Sequence, residues 1–180
     1  MKKADAPRAR RGTPVQRQRW KPGAIVEIPV AVDLWAYAQL GEQPIAAVLQ
    51  GVFATRPPLE WIFGQPISFK CWIQSDAVAK GYWIKVGQTS VRPDVLAEEY
   101  RFKQDRITGE LALYHSDFAQ NGWERPALLS ECIGLECAAI WDTDHVEDRI
   151  LAQYEGTECR WVKSMAIDLS RVPAPQNDLH

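Results

Sequence analysis

The sequence predicts an α+β fold made mainly of antiparallel β-structure, either a small curled sheet or a partly open, SH3-like barrel with one or two helices. Two observations lead to this prediction. Several short runs alternate apolar and polar residues with the period of a β-strand, and one stretch near the C-terminal end has a clear helical period. Many short strands with few helices are typical of an antiparallel sheet that curls on itself.

The composition predicts one folded domain between two extended ends. Apolar residues make up 46% of the 180 residues and eight are tryptophan, whereas disordered chains are depleted in aromatic residues. A chain of this length can bury one substantial core. We expect a basic, disordered arm over 1–19, a single globular domain over 20–169 and a flexible tail over 170–180.

The first part of the domain reads as a series of strands. The run "AIVEIPVAV" alternates and is followed, after a short turn around Asp33, by "LWAYAQL", which predicts a β-hairpin. A third apolar run, "IAAVLQGVFA", is expected to be a strand that ends before Pro57 and Pro58.

Two later runs, "ISFKCWI" and "GYWIKVG", alternate cleanly and are also predicted to be strands. In each, the more apolar face is expected to lie in the core. Trp72 and Trp83 then fall on the opposite face, beside lysines. A large aromatic side chain in such a place is either covered by another element or open to a partner.

The second part is less regular. "RPDVLAEEYRFKQD" fits a short helix opened by Pro93 and Asp94, or an extended loop; "GELALYH" predicts a strand, and "SDFAQNGWERPA" a loop. "CIGLECAAIW" reads as a central strand that is buried on both faces apart from Glu136. Because an unpaired buried carboxylate is costly, we expect Glu136 to form a structural ion pair with Arg149, one helical turn into the following segment.

The segment "TDHVEDRILAQYEG" is predicted to be a helix that ends at Gly156, with an apolar stripe through Val146 and Ile150. Asp144 is expected at the N-cap, with Glu147 three residues later completing a capping box. Acidic side chains in a first turn also favour the positive end of the helix dipole.

The candidate metal ligands are few. Asp144 and Asp148 fall on one side of the predicted helix and His145 on another, so these residues are not expected to converge on a metal. The chain also lacks the common hydrolase and nucleotide-binding motifs. We therefore expect no metal, no cofactor and no catalytic residue. The alternative is a small metal-assisted hydrolase that uses His115, Asp117 and His145.

Four cysteines are present, and no spacing among them matches a zinc site or a redox pair: Cys71, Cys132, Cys137 and Cys159. The residues before them do not resemble a secretion signal, so we do not expect export, and no apolar run approaches the length of a membrane span. We expect reduced, buried thiols in a soluble, cytoplasmic protein.

The charge is distributed unevenly. The chain carries a net charge of −2, but its first 19 residues hold seven Lys/Arg and one Asp, which leaves −8 for the rest. An acidic body argues against general nucleic-acid binding and suits a basic protein partner. A second alternative is a barrel adaptor whose basic arm contacts nucleic acid.

The order of the segments resembles the immunity protein 26 family of bacterial polymorphic-toxin systems. The resemblance runs through "KPGAIVEIPV", "WAYAQL" and "YWIKVGQ", and is most specific in "GLECAAIWDTDHVEDRI". It implies a non-enzymatic inhibitor that binds and neutralises a co-encoded, cognate toxin. Family annotations also mention a phosphotriesterase, which corresponds to the hydrolase alternative.

The combined prediction is a toxin-binding protein that uses an acidic surface with aromatic anchors. A basic, nuclease-like toxin would complement the acidic body, and tryptophan is enriched among the residues that dominate protein interfaces. The residues predicted to bind the partner are Trp72, Trp83, Asp142, Asp144 and Glu147.

Overall fold

The computed structural model describes residues 17–97, 99–115 and 122–173. Most of the predicted basic arm and of the predicted tail therefore lies outside the described residues. Two residues just outside the predicted bounds of the domain make contacts with it. The Gln18 side chain hydrogen-bonds to the backbone of Trp83 and Lys85, and Val172 packs against a buried apolar cluster.

The described residues form ten strands and six helices. In chain order these are β1 (Ala24–Ala31), β2 (Leu34–Leu40), β3 (Ile45–Leu49), α1 (Leu59–Phe63), β4 (Ile67–Ile73), α2 (Asp76–Ala79), β5 (Ile84–Gln88), α3 (Pro93–Leu96), β6 (Tyr100–Gln104), β7 (Leu111–His115), β8 (Trp123–Pro126), α4 (Leu129–Cys132), β9 (Glu136–Cys137), β10 (Ile140–Trp141), α5 (Thr143–Glu155) and α6 (Arg160–Ser164).

The strands form two sheets, one in each of two compact units. Among the described residues, the first unit contains 17–97 and 140–161, and its sheet A has the order β10-β4-β3-β2-β1-β5. The described residues of the second unit are 99–115, 122–139 and 162–173, and its sheet B has the order β8-β7-β6-β9. All strand pairs are antiparallel except β10 with β4 and β6 with β9. The prediction of one domain over 20–169 stays a prediction.

The predicted class, α+β with mainly antiparallel strands, is confirmed, but its details differ. There are two sheets rather than one, and neither closes into a barrel. The described residues contain six helices instead of the one or two predicted. Five of the six have only four or five residues, which is too short to produce a recognisable hydrophobic period in the sequence. Only α5 is long enough to show such a period.

Sheet A is covered on both faces. Successive side chains of a strand point to opposite faces, yet residues 24–28 of β1 and residues 36–40 of β2 are all buried. Helix α1 contributes Ile62 to an apolar cluster with Ile25, Tyr37 and Leu49. Helix α5 also packs against β1 and buries Val146.

The second unit has its own, smaller core. Phe102 of β6, Leu111 of β7 and Cys132 of α4 are buried together, and half-buried apolar residues such as Leu129 and Ile167 pack against them. Strand β8 lies at the edge of sheet B, where all four of its residues are exposed. Pro126 within it has no backbone N–H, a common way to limit pairing at an edge.

The strand predictions hold best in the first unit. The hairpin of β1 and β2 turns at Asp33, whose φ is 54°, and β3, β4, β5 and β7 follow as expected. The segment from Arg92 forms both a helix, α3, and a strand, β6. Strand β8 replaces part of a predicted loop.

The prediction of a central strand in "CIGLECAAIW" is wrong. This segment supplies two strands of two residues each, β9 in sheet B and β10 in sheet A, and both pair in parallel. Glu136 in β9 is half-buried rather than enclosed. The segment passes from the second unit to the first. Leu135 and Cys137 therefore pack in the core of the second unit, whereas Trp141 is buried in the first.

Helix α5 begins one residue before Asp144 and ends, as predicted, at Gly156, whose φ of 65° is left-handed. The predicted capping box is wrong, because Asp142 occupies the N-cap and no side-chain hydrogen bond caps the helix. All four cysteines are free, and Cys71 and Cys132 are buried as expected while Cys137 and Cys159 are half-buried. No helix among the described residues is both long and apolar enough to cross a membrane.

Candidate partner-binding site

Trp72 and Trp83 do not form the predicted binding surface. Only 8% of Trp72 is exposed and none of Trp83, and the indole Nε1 of Trp83 donates a hydrogen bond to Glu147 Oε1 of α5 at 3.2 Å. Neither ring is available to a partner. The prediction that these two tryptophans anchor a complex is therefore wrong.

The physical reason is that the second face of sheet A is also buried. Lys70, whose charge suggested a solvated face, is 9% exposed. Its Nζ donates to the carbonyl oxygens of Asp94 in α3 and of Ala97 directly after that helix. At the beginning of β5, Ile84 was expected in the core and Trp83 on the opposite face. The structure shows the reverse, with Ile84 38% exposed and Trp83 enclosed. A shift of one residue moves a side chain to the opposite face of a strand.

The three predicted acidic residues lie at the beginning of α5. Asp142 is exposed, and Asp144 and Glu147 are half-buried. Glu147 bonds to Trp83, and Asp142 Oδ1 accepts a hydrogen bond from Gln74 Nε2 at 2.6 Å. Glu147 and Asp142 therefore also hold the helix to its surroundings, a role that was not predicted from the sequence.

Acidic residues continue along one side of α5. Asp144, Asp148 and Glu155 are separated by four and seven residues, a spacing that places them in one row on a helix. We call this row the acidic stripe. Residues 140–161 hold six Asp/Glu and two Arg, a net charge of −4, whereas residues 17–97 hold six Asp/Glu and eight Lys/Arg. The negative charge of the first unit is thus concentrated on this segment.

One tryptophan, Trp161, lies against the acidic stripe. Its ring stacks on His145 with centroids 3.5 Å apart, and its Nε1 donates to Asp148 Oδ2 at 2.8 Å. Arg160 lies 4.4 Å over the same ring and also contacts Asp148. The half-buried Trp161 was not among the predicted residues. The only sequence signal was its position after the helix-ending Gly156, where the chain can fold back on α5.

The beginning of α5 also groups three side chains of the kinds that bind metals. The ligand atoms of Asp142, Asp144 and His145 lie within 4.8 Å of one another, so the expected divergence of Asp144 and His145 is wrong. Asp142 already bonds to Gln74 and lies 3.9 Å from His145, which gives this group a structural role.

The residues of the predicted hydrolase do not assemble within one unit. His115 belongs to the second unit and His145 to the first. Asp117 lies outside the described residues. The hydrolase alternative thus stays a prediction.

The ion pair predicted between Glu136 and Arg149 also stays a prediction, because the two residues belong to different units. Arg149 is 7% exposed in the first unit, where its guanidinium lies 3.8 Å over the ring of Phe69 and 5.2 Å from that of Trp141. Glu136 lies in the second unit, in β9. Burial and two aromatic contacts give Arg149 a packing role on its own.

A second polar cluster of the first unit surrounds Glu27, in the middle of β1. This carboxylate is 8% exposed and accepts hydrogen bonds from Tyr37 Oη at 3.0 Å and from Arg56 Nε and Nη2 at 2.7 and 2.9 Å. Arg56 lies 4.1 Å over the ring of Trp35. Burial, and next the hydrogen bond to Glu27, raise the pKa of Tyr37 well above its usual value. These contacts fix the loop that follows β3.

The second unit contains an open groove of about 1490 Å³. Its apolar rim includes Ile107 and Leu128, which are 94% and 71% exposed. The cations at the groove are mostly paired, Lys103 with Glu124 and Arg125 with Glu131. The groove therefore offers apolar surface with little net charge.

The described residues define an α+β protein with two mainly antiparallel sheets and an acidic helix. Comparisons with protein families, with curated proteins and with solved structures found no match.

Proposed function

We propose that this protein is a non-enzymatic inhibitor that binds a basic protein toxin through the acidic stripe of α5. The concentration of charge carries the proposal, because six of the acidic residues of the first unit lie within residues 140–161. A localised negative surface steers a positive partner into contact and raises the association rate. The resemblance to the immunity protein 26 family agrees with this function.

Trp161 takes the role first expected of Trp72 and Trp83. It stands at the stripe, and stacking on His145 together with the bond to Asp148 fixes its ring before any partner arrives. An aromatic side chain that is already ordered loses little entropy on binding. The acidic stripe would raise the rate of association with the toxin, and Trp161 would slow dissociation of the complex.

The first test asks whether the neighbouring reading frame encodes the partner. Co-expression of that product with this protein should relieve growth arrest, and the two should co-purify. A neighbour that is not toxic, or that is equally toxic with and without this protein, would rule out the proposal.

The second test measures binding rates with that toxin. Reversing the stripe with Asp144→Lys and Glu155→Lys should lower the association rate about tenfold at low salt, with a much smaller effect at high salt. The matched control is the double reversal Glu42→Lys and Glu60→Lys, which changes the charge equally at two exposed glutamates of the same unit, and for which we expect less than a twofold change in the association rate. Equal effects of reversal at both places would contradict a role for the stripe.

A further inference from the structure

A small, partly open cavity lies in the first unit, and none of its lining residues belongs to the acidic stripe. It has a volume of about 140 Å³ and is bounded by the side chains of Ile25, Leu49 and Phe63, by Gln39, and by the segment Thr89–Pro93. We call this segment the strap. Ile25 is 1% exposed and Leu49 3%, so the floor of the cavity belongs to the core of sheet A.

The strap is fastened over the cavity by hydrogen bonds. Gln39 Nε2 donates to the carbonyl oxygen of Ser90 at 3.0 Å, and Gln39 Oε1 accepts from the backbone N–H of Arg92 at 3.0 Å. The Arg92 side chain in turn donates from Nη1 to the carbonyl oxygen of Gln65 at 2.6 Å. The cavity therefore has a defined roof, which is attached to both β2 and the end of α1.

Gln39 is the unusual residue of this cavity, because its polar side chain is completely buried and lines the cavity together with the apolar Ile25, Leu49 and Phe63. A glutamine amide has two donor hydrogens and two acceptor lone pairs. In the part of the chain that the structure describes, the two bonds to the strap use one donor hydrogen and one acceptor lone pair of the Gln39 amide. One donor and one acceptor position of a buried amide thus remain for another group, and burying unused hydrogen-bonding capacity is unfavourable.

We propose that this cavity is a binding site for one small neutral molecule with an apolar body and a single hydroxyl or amide group, the size of phenol. A dry apolar cavity of about 150 Å³ is large enough for benzene. Among the lining residues that the structure describes, Arg92 is the one charged residue, and its guanidinium is already paired with Asp94, so the lining favours a neutral ligand over an ion. A hydroxyl group can both donate and accept, and so it matches what the Gln39 amide leaves unused.

Phenol is the probe, titrated into the isotopically labelled full-length chain and followed by NMR. We expect saturable shifts of the Gln39 side-chain amide and of the Ile25 and Leu49 methyl groups, with a dissociation constant in the millimolar range or below. Benzene, which lacks the hydroxyl, should bind about fivefold more weakly, the change expected for one net hydrogen bond. Absence of saturable shifts at these residues would overturn the proposal.

Two variants separate the cavity from other surfaces. Val91→Phe fills the cavity from the strap and should reduce phenol affinity at least tenfold in a folded protein, whereas unchanged affinity would place the binding elsewhere and refute the site. Gln39→Leu should abolish the preference for phenol over benzene, and a retained preference would exclude the amide. If Val91→Phe does not fold, nuclear Overhauser contacts from phenol to Ile25 and Leu49 in the natural chain decide, and their absence overturns the proposal.

Discussion

The two units stabilise their sheets in different ways. In the first unit, Glu27, Gln39 and Lys70 lie inside a sheet that is covered on both faces, and each is fastened by at least two hydrogen bonds. In the second unit, one apolar cluster around Phe102 and Leu111 forms the core, and the ion pairs of Lys103 and Arg125 lie at the surface. Covering both faces of a sheet makes its polar residues part of the core, where they need partners.

The largest expected effect tests the burial of Trp83 in the first unit. Trp83→Ala should lower the free energy of unfolding by about 3–5 kcal/mol, because it empties a fully enclosed ring site. Urea denaturation measures this loss. The matched control is Trp61→Ala, since Trp61 belongs to the same unit but is 48% exposed, and it should cost less than about 1 kcal/mol. Equal costs would contradict the burial described for Trp83.

The corresponding change in the second unit is Leu111→Ala, which removes a buried member of its apolar cluster. We expect a loss of about 2–4 kcal/mol in the free energy of unfolding. Ile107→Ala is the control, because Ile107 lies near the same hairpin but is 94% exposed, and a change of about 0.5 kcal/mol or less is expected. A small effect of Leu111→Ala would mean that this cluster does not hold the second unit together.

The polar cluster of the first unit should give a dependence on alkaline pH. Because the folded-state pKa of Tyr37 is raised, folding favours the protonated phenol; this stability is complete below the usual pKa of 10.0 and is lost as pH rises above it. Tyr37→Phe should cost about 1.5 kcal/mol at neutral pH, the value of a hydrogen bond to a charged group. It should also flatten the decline in unfolding free energy between pH 9 and 11. The same steep decline in the variant would exclude Tyr37 as its source.

The smallest expected effect concerns the end of the acidic helix. Gly156→Ala should destabilise the protein by about 1 kcal/mol, since its φ of 65° strains any residue with a Cβ even where space is open. Gly64→Ala provides the comparison, because Gly64 also ends a helix of the first unit but has a φ of −80°. It should be neutral or slightly stabilising in thermal unfolding. A neutral Gly156→Ala would argue against the left-handed end of α5.

Patterns of apolar residues along the sequence predicted those helices and strands whose formation depends mainly on residues close together in the chain. Alternation over "AIVEIPVAV" and "LWAYAQL" indicated the first hairpin, and the apolar period before Gly156 indicated α5 and its end. The acidic residues of the candidate site were also readable, because Asp142, Asp144 and Glu147 cluster in sequence. Strands β6 and β8 were missed because short strands with many polar residues carry little alternation.

Charge, composition and the period of apolar residues were thus determined by the sequence alone, and they were sufficient for the fold class and for an acidic helix. The tertiary structure decided which faces are covered. Trp83 was predicted to be available because Lys85 shares its predicted strand face, yet Trp83 is enclosed and bonds to Glu147. Trp161 lies at the acidic stripe only because the chain folds back after Gly156. The physical reason is that burial depends on contacts between segments far apart in the chain, and alternation along one strand cannot report whether its second face meets water or another element.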